Sequence, residues 1–230
     1  PPELLRLFQN IPLPIEIVLP GDPIGQFDCH TSLLDLPRLL DTSLETIPSY
    51  KSYLQAPSEL IKTWADRIGP RTVFRLGIVW AGNQKHMHDH SRSIEAGLIK
   101  PLVEMTGISV FSLQVGRTGE ALAVFGSKVT DLAPFLTDFA DTAAVLSNLD
   151  LIVTVDTAVA HLAGAIGCQT KTLLPFVPDW RWLLERNDSP WYPSMQLLRQ
   201  SERNDWKTVI DQVQTELSAN SNCGTFQGRP

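Results

Sequence analysis

The residues best suited to chemistry lie where an apolar run, Val153-Thr154-Val155, meets Asp156-Thr157-Ala158-Val159-Ala160-His161. The pattern predicts a strand over 151–155 and a helix over 157–166, with Asp156 as its N-cap. A helix start presents free amides and the positive end of the dipole, which favour an anion. Thr157 and His161 are four apart and share a face, so a hydroxyl and an imidazole can both reach phosphate oxygens. Ala158, Ala160, Ala163, Gly164 and Ala165 are small enough for the helix to lie close to a sheet. The same spacing also fits a plainer arrangement, in which Asp156 only caps and His161 is a partly buried core histidine.

A second candidate is the loop 81–93, small at Ala81-Gly82 and then rich in donors: Asn83, Lys85, His86 and Arg92, with Ser93 placed to cap the next helix. The alternation His86, His88, His90 invites a zinc site, but a polar loop supplies neither a fixed scaffold nor a fourth ligand, and a solvated loop fits as well. A third is Gln114 at the end of Ser112-Leu113, able to bond a ligand base or sugar. Trp180-Arg181-Trp182 and Ser189-Pro190-Trp191-Tyr192-Pro193 offer stacking rings, read chiefly as a plug against the core. GxGxxG, GxxxxGK[ST] and GxSxG are all absent from the sequence, so the dinucleotide fingerprint, the P-loop and the nucleophile elbow are excluded as explanations.

The elements that must position these residues alternate from Thr72 onward. Strands are expected at 74–80, 108–113, 151–155, 170–174 and 195–198, with helices at 94–105, 139–148, 157–166 and 206–217. That order predicts an α/β fold with a parallel, Rossmann-like sheet, whose ligand lies beyond the carboxyl ends of the strands. The first seventy residues are proline-rich and irregular, with a strand expected at 15–19 and a helix at 57–67 capped by Ser58. The tail 221–230 carries no period and is expected to be disordered.

Composition narrows the function classes. Of 230 residues, 43% are hydrophobic and 19% charged, with 19 basic and 25 acidic side chains and a net charge of -6. No basic run tracks a phosphate backbone, which counts against a nucleic-acid partner. No stretch approaches the roughly 18 apolar residues of a membrane span. Cys29, Cys168 and Cys223 are odd in number and widely spaced, which suits a reducing, cytoplasmic setting. The opening Pro1-Pro2 suggests a piece of a longer protein.

The stretch 156–165 resembles the DTxxxHLAxA element of glycosyltransferase family 9, the heptosyltransferase-like group. The set Gly77–Asn83, Arg92-Ser93-Ile94, Ser112-Leu113-Gln114, Asp138–Ala143, Pro178–Trp182 and Ser189–Pro193 looks like the glycosyltransferase region that follows tetratricopeptide repeats in many bacterial proteins. This likeness implies a GT-B architecture: residues 1–70 ending an amino-terminal domain and linker, and 71–220 forming the carboxyl-terminal nucleotide-sugar-binding domain. It implies that Asp156, Thr157, Ala158 and His161 hold the donor diphosphate, that Asn83, Arg92 and Ser93 close over it, and that Gln114 and Asp138 lie near the nucleoside. Gln84, His88 and Lys171 depart from the family pattern, where proline, asparagine and an apolar residue are expected.

The implied activity is inverting, metal-independent sugar transfer from a nucleotide-diphosphate sugar to a glycan, lipid or protein acceptor, with no cofactor. On this likeness the matching base is expected upstream of Pro1, so no catalytic residue is assigned here. A sugar-nucleotide epimerase on the same fold and an inactive partner-binding module remain open. Only transfer requires an acceptor, and the inactive module predicts no nucleotide affinity.

Overall fold

Six short segments pair into one parallel sheet: β1 (Phe74–Val79), β2 (Ile108–Ser112), β3 (Val129–Asp131), β4 (Leu151–Val155), β5 (Thr170–Leu174) and β6 (Met195–Arg199). Their order is β3-β2-β1-β4-β5-β6. The computed structural model describes residues 1–116 and 119–222. Cys223 and the rest of the tail lie outside the described residues.

Around the sheet run α1 (Leu5–Phe8), α2 (Leu36–Leu39), α3 (Ser58–Ile68), α4 (Asp89–Arg92), α5 (Ala96–Val103), α6 (Gly119–Ala123), α7 (Phe139–Leu146), α8 (Ala158–Ala165) and α9 (Trp206–Asn222). Strand alternation sorts the core into two layers. Leu76, Ile78, Val153 and Val155 face α5 and α9, whereas Val79, Ile152 and Phe111 face α7 and α8. Each Leu or Ile so buried contributes about 1.5–3 kcal/mol. The alanines of α7 and α8 bring both helices close to the strands, as Ala140, Ala143, Ala144 and Ala163 are fully buried. Helices on both faces of a wholly parallel sheet make this the α/β, Rossmann-like fold expected from the alternation.

α1 and α3 pack outside α7, contributing Leu7 and Trp64 to its layer. Their anchor is Asp141 of α7, buried, which accepts from Trp64 Nε1 (3.0 Å), Arg6 Nη2 (2.8 Å), the Thr137 amide (3.3 Å) and the Thr137 hydroxyl. Burial alone would raise the Asp141 pKa, but bonds from Thr137 and Trp64 and the charge of Arg6 outweigh it and hold the carboxyl below its ordinary value.

Several local expectations change. Residues 15–19 form no strand, because the segment has no ladder partner among the described residues and leaves Ile15 and Val18 exposed. Ser58 is the first residue of α3 rather than its cap; Pro57 occupies that position without a side-chain bond. The edge strand β3 is additional, and α9 extends past 217 to Asn222. Lys171, unexpected in a strand, keeps its ammonium on Glu216 of α9 and Gln196 of β6. The Cys168 thiol donates to the Leu146 carbonyl at 3.4 Å, and Cys29 is exposed.

Candidate active site

The chain leaves β1 toward β2 on one side and β4 toward β5 on the other, so a crevice must open between the carboxyl ends of β1 and β4. A cleft of about 1390 Å³ lies there. Asn83, Arg92, Gln114, Asp138, Asp156, Thr157, Ala158 and His161 all line it. Ser93 joins them through the Gly82 amide, which donates to its hydroxyl at 3.0 Å.

Two helix starts reach this cleft and differ in how their amides are satisfied. At α7, Asp138 is an N-cap, accepting from the amides of Ala140 (2.8 Å) and Asp141 (3.0 Å), and Arg6 clamps it with two bonds of 2.8 Å. At α8 the cap position belongs to Thr157, not Asp156, and no side-chain cap bond forms. The helix therefore starts one residue later than the strand–Asp boundary suggests. The Thr157 hydroxyl lies 3.2 Å from that of Thr154; Ala158 and Val159 line the cleft, whereas the Ala160 amide donates back to the Thr157 carbonyl at 3.0 Å. An uncapped, positively polarised helix end at the switch point can hold an anion.

Arg92 joins the two halves of the crevice, donating from Nη1 to the Asp156 carbonyl at 2.9 Å. Its Nε lies 3.7 Å from the buried Asp89 carboxylate, which accepts the Ser93 hydroxyl at 2.9 Å. Gly82 is needed beneath this network: a Cβ there would fall 2.6 Å from Arg92 Nε, Arg92 Nη2 and Asp89 Oδ1. Ser93 thus closes α4 and holds the loop, whereas Glu95 is the N-cap of α5, contrary to the capping role expected for Ser93. Asn83 is exposed and accepts the Lys85 amide at 3.0 Å. His86 Nδ1 accepts the His88 amide at 3.2 Å. Among the described residues no three His, Cys, Asp or Glu side chains converge as a metal site.

Gln114 is only 2% exposed, and its amide is committed to backbone. Its oxygen accepts from Trp80 (3.1 Å) and Ala81 (2.8 Å), and its nitrogen donates to Ala81 (3.0 Å) and Val115 (3.2 Å). All four of its bonding positions are used within the chain, so it shapes the β1 end of the cleft rather than offering an amide to a ligand.

His161 stands one turn into α8. Its ring stacks on Trp182, with centroids 5.0 Å apart and planes at 16°. Nδ1 is 3.1 Å from the Tyr192 hydroxyl, and Nε2 is 4.0 Å from Asp156 Oδ1. Burial lowers its pKa despite the attraction of Asp156, which favours the neutral imidazole. The aromatic stretch is therefore divided: Trp182 is fully buried as a plug, whereas Trp180 is 64% exposed. Residue spacing named Tyr192 only as one ring of the aromatic stretch, not as a partner of His161, and did not single out Asp89. Asp89 is signalled only by its positions three and four before Arg92 and Ser93.

The sequence model of glycosyltransferase family 9 (heptosyltransferase) matches residues 116–175, the segment that holds β3, α7, β4, α8 and β5. Protein FlbA of Caulobacter vibrioides is 23% identical over 204 residues, covering 84% of this chain and 33% of that protein. The chain thus spans about a third of the length of this curated relative. The ADP-heptose lps heptosyltransferase II of E. coli superposes with a TM-score of 0.54 at 17% identity, over 76% of this chain and 55% of that one. This structural likeness shows a shared fold.

Proposed function

We propose, from the premise that the family 9 match marks a glycosyltransferase, that this chain holds the nucleotide-sugar donor of an inverting, metal-independent sugar transferase. The diphosphate would rest on the first turn of α8, as the carboxyl-terminal half of a GT-B enzyme binds its donor. The observation that carries this reading is the contrast between the two helix ends in the cleft: α7 is capped by Asp138, and α8 has no side-chain cap. In transfer, an acceptor hydroxyl oxygen bonds to the anomeric carbon as the bond to the diphosphate oxygen breaks, and the hydroxyl proton passes to a base. Negative charge then collects on the departing diphosphate. The α8 amides, the Thr157 hydroxyl and the His161 N–H are fixed dipoles where that charge grows, so they stabilise it without reorganising.

Arg92 holds the loop 81–93 over this position. The proposal extends to tetratricopeptide repeats accompanying the domain in the whole protein and to a cytoplasmic location. Calorimetric titration with UDP, GDP and ADP and their sugars tests the site. One nucleotide should bind, and His161→Ala and Arg92→Ala should each weaken it about tenfold, the range expected for losing one hydrogen bond to a charged group. Far-UV circular dichroism should be unchanged. Parent-like affinity in both variants would remove the assigned site, and conversion of the sugar nucleotide to its epimer with no acceptor added would point to the epimerase.

A further inference from the structure

A diphosphate that leaves without a metal needs a protein cation beside it, because neutral donors alone leave its growing charge unbalanced. Arg92 is badly placed for direct contact. Its Nη1 is spent on the Asp156 carbonyl, its Nε lies beside Asp89, and its side chain is 15% exposed. Arg181, which lines the same cleft beyond the end of β5, is arranged differently. Its side chain is 44% exposed, and Nη1 donates to Asp179 Oδ1 at 2.8 Å. Among the described residues its Nε and Nη2 make no bond within the chain. We infer that Arg181 is the guanidinium that binds the diphosphate at the first turn of α8, whereas Arg92 serves only as a strut for its loop.

The backbone at Arg181 is pinned from both sides. Its amide donates to Asp179 Oδ1 at 3.0 Å, and its carbonyl accepts from Trp191 Nε1 at 2.9 Å. The next residue, Trp182, is fully buried and stacks on His161, which ties this lip of the cleft to α8. The guanidinium carbon lies 4.5 Å from the centre of the exposed Trp180 ring, so an apolar face supports the charge. Lys85 and Arg203 line the cleft as well, yet Arg181 is the cation whose charge acts on His161, together with Asp156 and Asp179. The Asp179 contact occupies one prong of a planar fork that can bond two oxygens at once, so the rest of the fork is available to an anion. The assignment of that anion as the donor diphosphate rests on the donor-site reading above.

The test is calorimetric titration of the chain with inorganic pyrophosphate and with UDP, GDP and ADP, in magnesium-free buffer. Asp179→Asn is the reference background: asparagine can still cap the turn, and no bare carboxylate is left to repel the anion once the arginine is gone. In that background Arg181→Gln should weaken pyrophosphate and the bound nucleotide about tenfold or more, the worth of a hydrogen bond between charged groups. Arg181→Lys should lose less, because it keeps the charge without the fork. Equal affinity with and without the arginine, or an equal loss with lysine and glutamine, overturns the inference. If the glutamine variant does not keep the wild-type near-UV spectrum, the lysine variant decides alone: a loss of about threefold, the worth of one ordinary hydrogen bond, is expected, and no loss overturns the inference. Pyrophosphate binding that depends on Arg181 while no nucleotide binds overturns the donor-site reading and leaves Arg181 as an anion-binding residue. Failure of the wild type to bind pyrophosphate and every nucleotide removes both.

Discussion

Asp141→Asn should destabilise the chain by about 2–4 kcal/mol, although its shape barely changes. Four donors converge on the carboxylate: Trp64 Nε1 on Oδ1, and Arg6, the Thr137 amide and the Thr137 hydroxyl on Oδ2. An amide offers one oxygen and an NH₂, so whichever way it turns, at least one donor faces another donor. Trp64 is 3% exposed and has no water to turn to. An orphaned buried donor costs about 1–3 kcal/mol, and the remaining bonds lose their charge assistance, roughly another 1 kcal/mol. Arg6 is discounted because its side chain is 43% exposed and keeps Asp138. Urea unfolding followed by far-UV circular dichroism at pH 7 measures the difference. Because the folded Asp141 carboxyl sits below its ordinary value, its stabilisation is complete above the unfolded pKa near 3.9 and is lost as pH falls through the folded value. The gap between parent and variant must therefore narrow below about pH 4. A loss under about 0.5 kcal/mol, or one independent of pH, would refute this account of how α1 and α3 are tied to α7.

Gly164→Ala gains helix propensity worth about 1 kcal/mol but drives a methyl into the Tyr192 ring, an overpacking cost of about 1–3 kcal/mol. A net loss of up to about 2 kcal/mol is expected in denaturant melts, with an altered near-UV aromatic spectrum; stabilisation would show that the ring yields freely. Lys171 and Glu216 should respond unequally to losing each other. Lys171→Met leaves Glu216, 29% exposed at its side chain, able to reach water, and should change stability by less than about 1.5 kcal/mol. Glu216→Leu strands a lysine whose side chain is 9% exposed and should cost about 3 kcal/mol in the same melts, so equal effects would contradict the burial asymmetry.

The central strands were legible because short buried segments dominated by β-branched and apolar residues, such as Leu151–Val155, alternate with helical patterns, as a sheet covered on both faces requires. β3 was not, since Val129-Thr130-Asp131 is three residues long and lies at the edge. Residues 15–19 show the converse: β-branched alternation marks compatibility with a strand, but pairing depends on an edge that local sequence does not reveal. At the site, the meeting of β4 with α8 could be read from the switch between periodicities, although the cap fell one residue later than expected. The role of Gln114 could not be read, because its partners Trp80 and Ala81 lie on another strand's end and are set by the β1–β2 register. Tyr192 was hidden for a similar reason, as it meets His161 across 31 residues of chain.

The guanidinium that ties the two sides of the crevice ends on a main-chain oxygen at position 156, not on the aspartate side chain. Exchanging that aspartate would alter the electrostatic neighbour of the imidazole while leaving the tether intact, and exchanging the arginine would do the reverse. Loop anchorage and the character of the proton donor can therefore drift independently. If the cleft holds an anion as proposed, single changes at 156 would retune its preference without unfastening the loop.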